Sequence, residues 1–481
     1  MSRPLRRVFC LMLCLCLLPA AALGERYGLS PRNPQVLTLW HYYNGMQQQI
    51  FDELVLQFNE TVGNELGIVI EAMSQGSVNN LSSKLLAAAR GDAGSDPMPD
   101  ICGAYADTAY DVDQMGLVAD LAPYFTQEEL DAYISAYIHE GQLDTDGTLK
   151  LFPIAKSTEV LMLNKTAWDT FAAETGVTLS QLTTWEGICE VAARYWDWTD
   201  AQTGAPWDGQ AFFGRDAVAN YMVIGSMQLG REIFSVHNGE MILTLDRDVM
   251  RRLWDNYAVP FISGHFAAYG RFRSDDVKTG LLISLVGSTS GALYFPREVT
   301  RDDGTTYPIE CLVLPLPGFA GTEPYAPQQG AGMIVRNSTP DRIYAATVFL
   351  KWITQPEHNI AFSLQSGYLP VTTEACSGTL LEDTMDAMQV SDLLRAVIET
   401  GVEMTGAYTL YTNNAFARGN EARAVLENSL PDWISDAIAQ RDELLAGGAD
   451  RDEVLQRLTG DEAFDAWYES LCLDMQEALG R

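Results

Sequence analysis

The sequence is short of positive charge. Its 481 residues contain 31 Lys and Arg against 64 Asp and Glu, which gives a formal net charge of −33 at pH 7. A surface with this excess of carboxylates repels nucleic acids and anionic membranes, so we expect neither as a partner. The plainest explanation of the charge, which we favour, is that it keeps the protein soluble.

Cysteine and histidine are also scarce, and their spacing is irregular. Three of the eight cysteines lie before residue 24, and the other five are far apart without a CxxC pattern. The sequence therefore predicts free thiols rather than a zinc site or a disulfide framework, with one long-range bridge as the alternative. The five histidines form neither an HExxH motif nor a close pair. We expect no metal site, no cofactor and no catalytic residues.

Only one long apolar run occurs, and it lies at the start of the chain. Three arginines precede the apolar residues 8–18, and small residues at 22 and 24 provide a cleavage site, so residues 1–24 are predicted to be a secretory signal peptide. Its removal would leave 28 basic and 64 acidic residues, a net charge of −36. We expect an extracellular or periplasmic protein. Anchoring to the outer face of the membrane through a cysteine is an alternative, although bulky leucines precede two of the three cysteines in this run.

The length of the chain favours two globular bodies, because a single hydrophobic core stops growing at about 250–300 residues. In the first part, predicted strands alternate with predicted helices. The strands lie at residues 36–40, 66–72 and 100–105, and the helices at 47–62 and 80–90. This alternation predicts an α/β fold with a doubly wound parallel sheet.

The same alternation places three loops at one edge of the predicted sheet. Residues 40–44, 74–77 and 105–108 are rich in aromatic and amide side chains. Ring faces cover the C–H patches of sugars while fixed amides and carboxylates match their hydroxyls, so these loops predict a binding surface for a polyol. Ordinary packing at strand ends is the alternative. The candidate ligand-binding residues here are Trp40, Tyr43, Gln75, Tyr105 and Asp107.

Residues 144–165 are interpreted as a crossing between two lobes. Residues 149–151 alternate as in a strand, and residues 159–163 are apolar nearly throughout, as in a strand covered on both faces. Residues 154–158 would then form the floor of a cleft, since ligands of α/β folds collect at strand ends. An uninterrupted α/β domain is the alternative. The hydroxyls offered to the cleft belong to Ser157 and Thr158.

A second polar loop follows the predicted strand at residues 280–286. The loop reads Gly287-Ser288-Thr289-Ser290-Gly291, which resembles the G-x-S-x-G motif of hydrolases but has threonine at the central position. We interpret Ser288, Thr289 and Ser290 as hydrogen-bond donors directed into the cleft, with an ordinary turn as the alternative. In the strand at 330–335, Gly330 allows close approach of the backbone.

Two further crossings are predicted at the Pro/Gly-rich residues 315–328 and at residues 368–371. They divide the mature chain into two discontinuous lobes. The N-terminal lobe comprises residues 33–153 and 329–367, and the C-terminal lobe comprises residues 154–328 and 368–481.

The chain resembles the extracellular solute-binding proteins of ABC importers, family 1, over nearly all of its mature length. The segments that resemble the family are short, but they share its order and spacing: Leu39-Trp40-His41, Pro99-Asp100-Ile101, Ser157-Thr158, Thr184-Trp185, Gln329-Gly330-Ala331-Gly332 and Ser366-Gly367-Tyr368-Leu369-Pro370-Val371. The resemblance implies a type II periplasmic binding protein fold, with two doubly wound α/β lobes joined by hinge crossings.

Within this family the chain is most similar to the members that bind sn-glycerol 3-phosphate. The similarity implies ligand contacts by Ser157, by residues 288–290, by the Gly330 amide, by Tyr368 and by Arg418. An arginine could hold a phosphate, whereas a solvated charge at a helix end is the equal alternative for Arg418. Two departures disfavour a phosphate ester: Val78 replaces a tyrosine of those members, and Ala106 followed by Asp107 replaces a glutamate.

We therefore expect a monomeric binding protein that captures a sugar, oligosaccharide or glycerol-phosphate-like polyol between its lobes and delivers it to the permease subunits of an ABC importer. Two other classes stay open. A secreted glycoside hydrolase needs two carboxylates, but no motif in the sequence pairs two acids. A surface carbohydrate receptor without a transport role would have the same binding residues.

Overall fold

The structure is a computed structural model that describes residues 27–143, 147–237, 240–412 and 414–480. The predicted signal peptide and Asp146 of the predicted turn before the crossing lie outside these residues. The contacts divide the chain into two units. The first unit comprises the residues up to Lys156, Gly330–Ser366 and Pro370–Thr384, and the second comprises Ser157–Gln329, Gly367–Leu369 and the residues from Met385.

In the part of the chain before the first crossing, strands and helices alternate. The elements are β1 (Gln35–His41), α1 (Gly45–Glu60), α2 (Val62–Leu66), β2 (Ile68–Ser74), α3 (Val78–Arg90), β3 (Ile101–Ala104), α4 (Ala106–Asp113), α5 (Gln127–Asp131) and α6 (Ser135–Glu140).

Between the first two crossings lies most of the second unit. Its elements are β4 (Glu159–Asn164), α7 (Lys165–Thr175), α8 (Trp185–Asp200), β5 (Phe213–Arg215), α9 (Val218–Gln228), β6 (Phe234–His237), β7 (Glu240–Leu243), α10 (Arg247–Asp255), α11 (Ala258–Ser263), α12 (Arg273–Lys278), β8 (Ser284–Ser288), β9 (Glu298–Thr300), β10 (Thr306–Pro308), β11 (Cys311–Pro315) and β12 (Tyr325–Pro327).

The last part of the chain is mainly helical. Its elements are β13 (Gly332–Val335), α13 (Pro340–Ile353), α14 (Pro356–Ser366), α15 (Thr373–Cys376), α16 (Thr379–Met388), α17 (Asp392–Ala407), β14 (Thr409–Tyr411), α18 (Gly419–Ala446), α19 (Arg451–Thr459) and α20 (Asp461–Ala478). The predicted helix start at Pro340 is confirmed, because proline has no N–H to lose at a first helical position.

The sheet of the first unit has the strand order β13-β3-β1-β2. Strand β1 is parallel to β2 and to β3, as the alternation of strands and helices predicted, whereas β13 is antiparallel to β3. Asp100 links strand β1 to the segment of the chain that follows β13. Its carboxylate accepts hydrogen bonds from Thr38 and forms ion pairs with Arg336 and Arg342 at 2.9 and 2.7 Å.

The sheet of the second unit is mixed, with the order β11-β4-β8-β5. Strand β4 is antiparallel to both of its neighbours, and only β5 and β8 are parallel. Every residue of β4 is buried, which confirms the sequence-based prediction of a strand covered on both faces. Glu159 is buried at its start because Arg215 and Asn220 bind its two carboxylate oxygens.

Two sequence-based predictions differ from the structure. Residues 149–151 were expected to form a strand, but only an isolated bridge between Phe152 and Met333 occurs beside them. Residues 154–156 and 370–384 were placed in the C-terminal lobe, whereas their contacts group them with the first unit. Residues 329 and 367 were placed in the N-terminal lobe, whereas their contacts group them with the second unit. For residues 370–384 the cause is backbone hydrogen bonding, since the Val371 carbonyl accepts from Ile134 at 3.0 Å and Thr373 N–H donates to Ala132 at 2.9 Å.

Two glycines of helix α17 provide a matched test of packing in the second unit. A Cβ atom at Gly401 would lie 2.7 Å from Cδ2 of the buried Leu369, whereas a Cβ atom at Gly406 would meet nothing within 4 Å. Overpacking of a core costs about 1–3 kcal/mol. We expect Gly401→Ala to lower the free energy of unfolding by this amount in denaturant titrations.

The control, Gly406→Ala, should leave the free energy of unfolding unchanged or raise it by about 0.5–1 kcal/mol, because alanine is the better helix former. Equal effects of the two substitutions would contradict the packing of Leu369 against α17.

Candidate functional site

In the first unit, the carboxyl ends of the parallel strands bring the predicted loops together. The Gln75 N–H donates to the His41 carbonyl at 2.7 Å, and the Ser74 hydroxyl donates to the Tyr43 carbonyl at 2.6 Å. These bonds join the loop after β1 to the loop after β2. The register of β1 with β3, which sets Trp40 opposite Cys102, brings the loop before α4 to the same edge.

Two of the aromatic candidates at this edge are buried. Trp40 and Tyr43 are 2% and 1% exposed, and the Tyr43 ring packs against Phe51 and Phe362. Burial raises the pKa of Tyr43, and the nearby hydroxyls of Tyr42 and Tyr105 raise it further. Tyr42, Tyr43 and Tyr105 therefore form a cluster of phenol groups at the strand ends.

The other candidates of the first unit are more accessible. Tyr105 is 37% exposed and precedes the first turn of α4, which contains the half-buried Asp107. Gln75 is half-buried, and its side-chain oxygen accepts a hydrogen bond from Lys84 at 2.6 Å. Tyr105 and Asp107 thus present a ring and a carboxylate at the edge where the buried aromatic residues lie.

His41 is a polar residue at this edge that was not among the predicted ligand-binding residues. Its ring is fully buried between Tyr43 and Phe51, and neither ring nitrogen has a hydrogen-bond partner among the described residues. Burial lowers its pKa to about 4. The segment Leu39-Trp40-His41 contributed to the family resemblance. Nothing in the sequence indicated that the His41 ring is buried without a hydrogen-bond partner for its nitrogens.

In the second unit, the polar candidates meet at the ends of β4 and β8. Ser157 exchanges backbone hydrogen bonds of 2.9 and 2.8 Å with Gln329. The Thr289 N–H donates to the Thr158 carbonyl at 2.8 Å, and the hydroxyls of Ser288 and Ser290 lie 2.9 Å apart. The loop predicted to donate hydrogen bonds is therefore next to the predicted floor residues, within one unit.

Gly367 and Tyr368 also adjoin this loop. Gly367 has a φ of +75°, and a Cβ atom there would lie 3.0 Å from the Ser290 Cα and from the Thr289 carbonyl oxygen. Only glycine allows the backbone to pass so close in this conformation. Tyr368 follows directly and is 6% exposed.

Several polar atoms in this cluster are buried without partners. Among the described residues, nothing hydrogen-bonds to the hydroxyls of Thr158 and Thr289 or to the side-chain oxygen of Gln329. An unsatisfied buried polar group costs about 1–3 kcal/mol, so these three groups are candidates for contact with a ligand. Of these three, Gln329 was missed as a binding residue, because the sequence showed only a glycine-rich strand there.

Gly330 lies in the first unit, beside a buried ion pair. Its φ is +97°, and its carbonyl accepts a hydrogen bond of 2.8 Å from the Lys156 ammonium group. Lys156 is 1% exposed and also forms an ion pair with Glu140. This buried lysine is therefore already bound by two acceptors.

Arg418, the candidate phosphate ligand, is exposed at the start of α18. It has a φ of +67°, and a Cβ atom at Gly480 would lie 2.5 Å from its Nη1 atom, so the guanidinium lies beside the end of α20. Among the described residues, no group of three or more His, Cys, Asp or Glu could hold a metal ion. The described helices also include none that is long and apolar enough to cross a membrane.

This fold, with polar and aromatic residues collected at the strand ends of each unit, is that of a periplasmic binding protein of type II. The family model of bacterial extracellular solute-binding proteins matches residues 53–385, and the chain belongs to this family. The search of curated proteins finds no match.

Solved structures share the fold over almost the whole chain. UgpB from Mycobacterium tuberculosis, in complex with glycerophosphocholine, has 18% identity and a TM-score of 0.67, covering 93% of this chain and 100% of UgpB. The cyclic α-maltosyl-1,6-maltose binding protein from Arthrobacter globiformis has 20% identity and a TM-score of 0.63, covering 91% and 100%. The Thermus thermophilus maltotriose binding protein has 15% identity and a TM-score of 0.59, covering 92% and 100%.

The unsatisfied hydroxyl of Thr289 predicts an unusual response to substitution. Thr289→Val keeps the side-chain shape and removes a buried group without a partner, so we expect the free energy of unfolding to rise by about 1 kcal/mol. The control is Thr347→Val. Thr347 is equally buried, but its hydroxyl donates to the Ile343 carbonyl at 2.9 Å, so its loss should destabilise by about 1 kcal/mol. If both variants are destabilised alike in denaturant titrations, Thr289 has a partner.

Burial of His41 predicts a loss of stability in mild acid. Its pKa is lowered to about 4 in the folded chain, so between the ordinary value of about 6.5 and pH 4 only the unfolded chain binds the proton. Stability should fall as the pH drops through this window, by about 3 kcal/mol for this residue, and level off below pH 4. Thermal melts of His41→Phe should show a shallower decline than the unsubstituted protein, and the same substitution at the exposed His139 serves as control. Parallel profiles of His41→Phe and the unsubstituted protein would refute this assignment.

Proposed function

We propose that this protein captures a sugar, oligosaccharide or other polyol outside the cell and delivers it to the permease subunits of an ABC importer. The observation that carries the proposal is the cluster of buried, unpartnered polar atoms of Thr158, Thr289 and Gln329 in the second unit. Two structural neighbours support it: one is in complex with glycerophosphocholine, which contains a glycerol part, and the other is bound with maltotriose, an oligosaccharide.

The chemistry of the cluster favours a neutral polyol. Hydroxyl and amide groups both donate and accept, as the hydroxyls of a sugar do. Ser288 and Ser290 add two hydroxyls beside the unpartnered ones. In the first unit, the exposed ring of Tyr105 and the carboxylate of Asp107 provide the stacking surface and the acceptor that sugar recognition uses.

The described side chains suit a phosphate ester less well than a neutral polyol. A lysine or arginine that is free to bind strengthens the recognition of a phosphate. Lys156 is already engaged by Glu140 and by the Gly330 carbonyl, and Lys84 donates to Gln75. Arg418 lies exposed against the end of the last helix. We therefore rank glycerol-phosphate-like polyols below uncharged ones.

In this proposal one solute contacts residues of both units, and the units close about it. The ligand then stabilises the closed form because it binds that form better than the open form. The contacts would come from Trp40, Tyr43, Gln75, Tyr105, Asp107 and Gly330 of the first unit and from Ser157, Ser288, Thr289, Ser290, Tyr368 and Arg418 of the second. Each lobe would consist of the separate chain segments that make up one unit. The protein would act as a secreted monomer without catalysis.

A panel of ligands tests the proposed function. We expect thermal-shift measurements with mono- and oligosaccharides, polyols and glycerophosphodiesters to find one class that stabilises the protein, at a Kd in the micromolar range or about −8 kcal/mol of binding free energy. No product should form from the stabilising compound over hours, as followed by mass spectrometry. Turnover would identify a hydrolase instead. Failure of every class to stabilise the protein would refute the proposal of a sugar or polyol ligand.

Tyr368→Ala tests whether this side chain contacts the ligand. Tyr368 directly follows Gly367, whose backbone lies next to Thr289 and Ser290, so its loss should weaken binding of the stabilising compound by about tenfold. Because Tyr368 is 6% exposed, circular dichroism checks that this variant is folded, and the exposed Tyr269 of the same unit, replaced by alanine, is the control for binding. Isothermal titration calorimetry gives the two dissociation constants. An unchanged constant for Tyr368→Ala, with the control also unchanged, would remove Tyr368 from the site.

A further inference from the structure

The second unit presents a tryptophan ring at a surface cavity between the loop after α8 and the turn that joins α18 to α19. The volume of the cavity is about 460 Å³. Sites for small molecules typically measure about 300–1,000 Å³. The residues that decide its chemistry are Trp207, Leu445, Asp450, Arg451 and Asp452, and none of them is a candidate residue of the polyol site.

Trp207 is held in an unusual conformation for an exposed aromatic residue. It is 61% exposed, and its φ is +68°. This left-handed conformation is rare for a bulky side chain and persists only where the surroundings impose it. The loop around it is fixed by its own hydrogen bonds, since the Asp208 N–H donates to the Asp200 carboxylate at 2.7 Å. The indole is therefore presented to solvent from a constrained backbone.

The inner side of the Trp207 ring is supported by two side chains. Trp207 stacks with Trp196, which is 6% exposed, with ring centroids 6.4 Å apart and an interplanar angle of 24°. The Arg451 guanidinium lies 4.8 Å from the Trp207 centroid and 4.9 Å from the Trp196 centroid. It also donates to the Ser263 carbonyl at 3.2 Å. These contacts fix the ring, and its exposure leaves room for a ligand to stack on it.

Two carboxylates lie along the same cavity. One oxygen of Asp450 accepts hydrogen bonds from the N–H groups of Asp452 and Glu453, at 3.0 and 3.1 Å, at the start of α19. The Asp452 carboxylate is exposed, and it accepts no hydrogen bond from the described residues. Ionised carboxylates only accept hydrogen bonds, so they suit a ligand that brings hydroxyl donors.

The charge of Arg451 decides which class of ligand the cavity suits. An indole beside carboxylates can hold a cation, but here the guanidinium already lies against both rings and would repel a second positive charge. An anionic ligand would be repelled by Asp450 and Asp452. A neutral sugar meets neither obstacle, because its C–H groups can cover the ring while its hydroxyls donate to the carboxylates.

We propose that this cavity is a second, surface site that binds a neutral glycan chain. One pyranose ring would lie on Trp207, and its hydroxyls would donate to Asp452 and to the second oxygen of Asp450. A chain of β-1,4-linked glucose suits the site, since all of its ring hydroxyls are equatorial and C–H groups remain on both ring faces. The site is separate from the one that recognises a polyol, and its existence does not depend on that function.

Cellotetraose is the probe for this site, and fluorine NMR of the 5-fluorotryptophan-labelled protein is the readout. The Trp207 resonance is the one that is missing from Trp207→Gly, because glycine accommodates a φ of +68°. Trp207→Phe gives the same assignment if the glycine variant fails to fold. We expect cellotetraose to shift this resonance saturably.

Asp452→Asn should weaken cellotetraose binding about fivefold, because a hydrogen bond to an ionised acceptor is about twice as strong as one to a neutral acceptor. The matched control is Glu453→Gln, the next residue of α19, which is also exposed but does not line the cavity. It should leave the binding unchanged.

Two further measurements separate this site from the polyol site and from a cation site. Tyr368→Ala should leave the response of Trp207 unchanged, and an equal concentration of the tetracation spermine should not displace cellotetraose. The proposal is overturned if cellotetraose does not shift the Trp207 resonance saturably or if Asp452→Asn binds as well as Glu453→Gln. Loss of the response in Tyr368→Ala, or displacement by spermine, would also overturn it.

Discussion

The structure depends on paired backbone segments at the points where the chain passes from one unit to the other. Phe152 and Met333 exchange backbone hydrogen bonds on the side of the first unit, and Ser157 and Gln329 do so on the side of the second. At the boundary, Lys156 binds the Gly330 carbonyl and Glu140. Since a buried ammonium group without partners would be expensive, these contacts hold Lys156 beside Glu140 and Gly330 within the first unit.

Within the second unit, the pairing of strands sets the positions of the polar groups. Ser157 and Thr158 come immediately before β4, which is buried throughout, so the register of β4 with β8 decides which groups they face. The same register brings Thr289 to the Thr158 carbonyl. The buried Glu159 carboxylate is bound by Arg215 and Asn220, whereas the hydroxyls of Thr158 and Thr289 have no hydrogen-bond partner among the described residues. We propose that this contrast reflects recognition of a ligand.

Much of the fold was predictable from the sequence because it depends on local pattern. The alternation of strands and helices up to residue 105, the buried strand at 159–163 and the helix start at Pro340 each follow from periodicity or from a residue with restricted backbone geometry. Aromatic and amide residues after β1, β2 and β3 also indicated a shared edge, since parallel strands end on the same side of a sheet. The sequence by itself thus determined the fold class and most of the candidate binding residues. Only the tertiary structure decided that residues 370–384 join the first unit. It also decided that the Thr289 hydroxyl and the Gln329 side-chain oxygen have no hydrogen-bond partner among the described residues, because such properties depend on hydrogen bonds and packing between segments far apart in the chain.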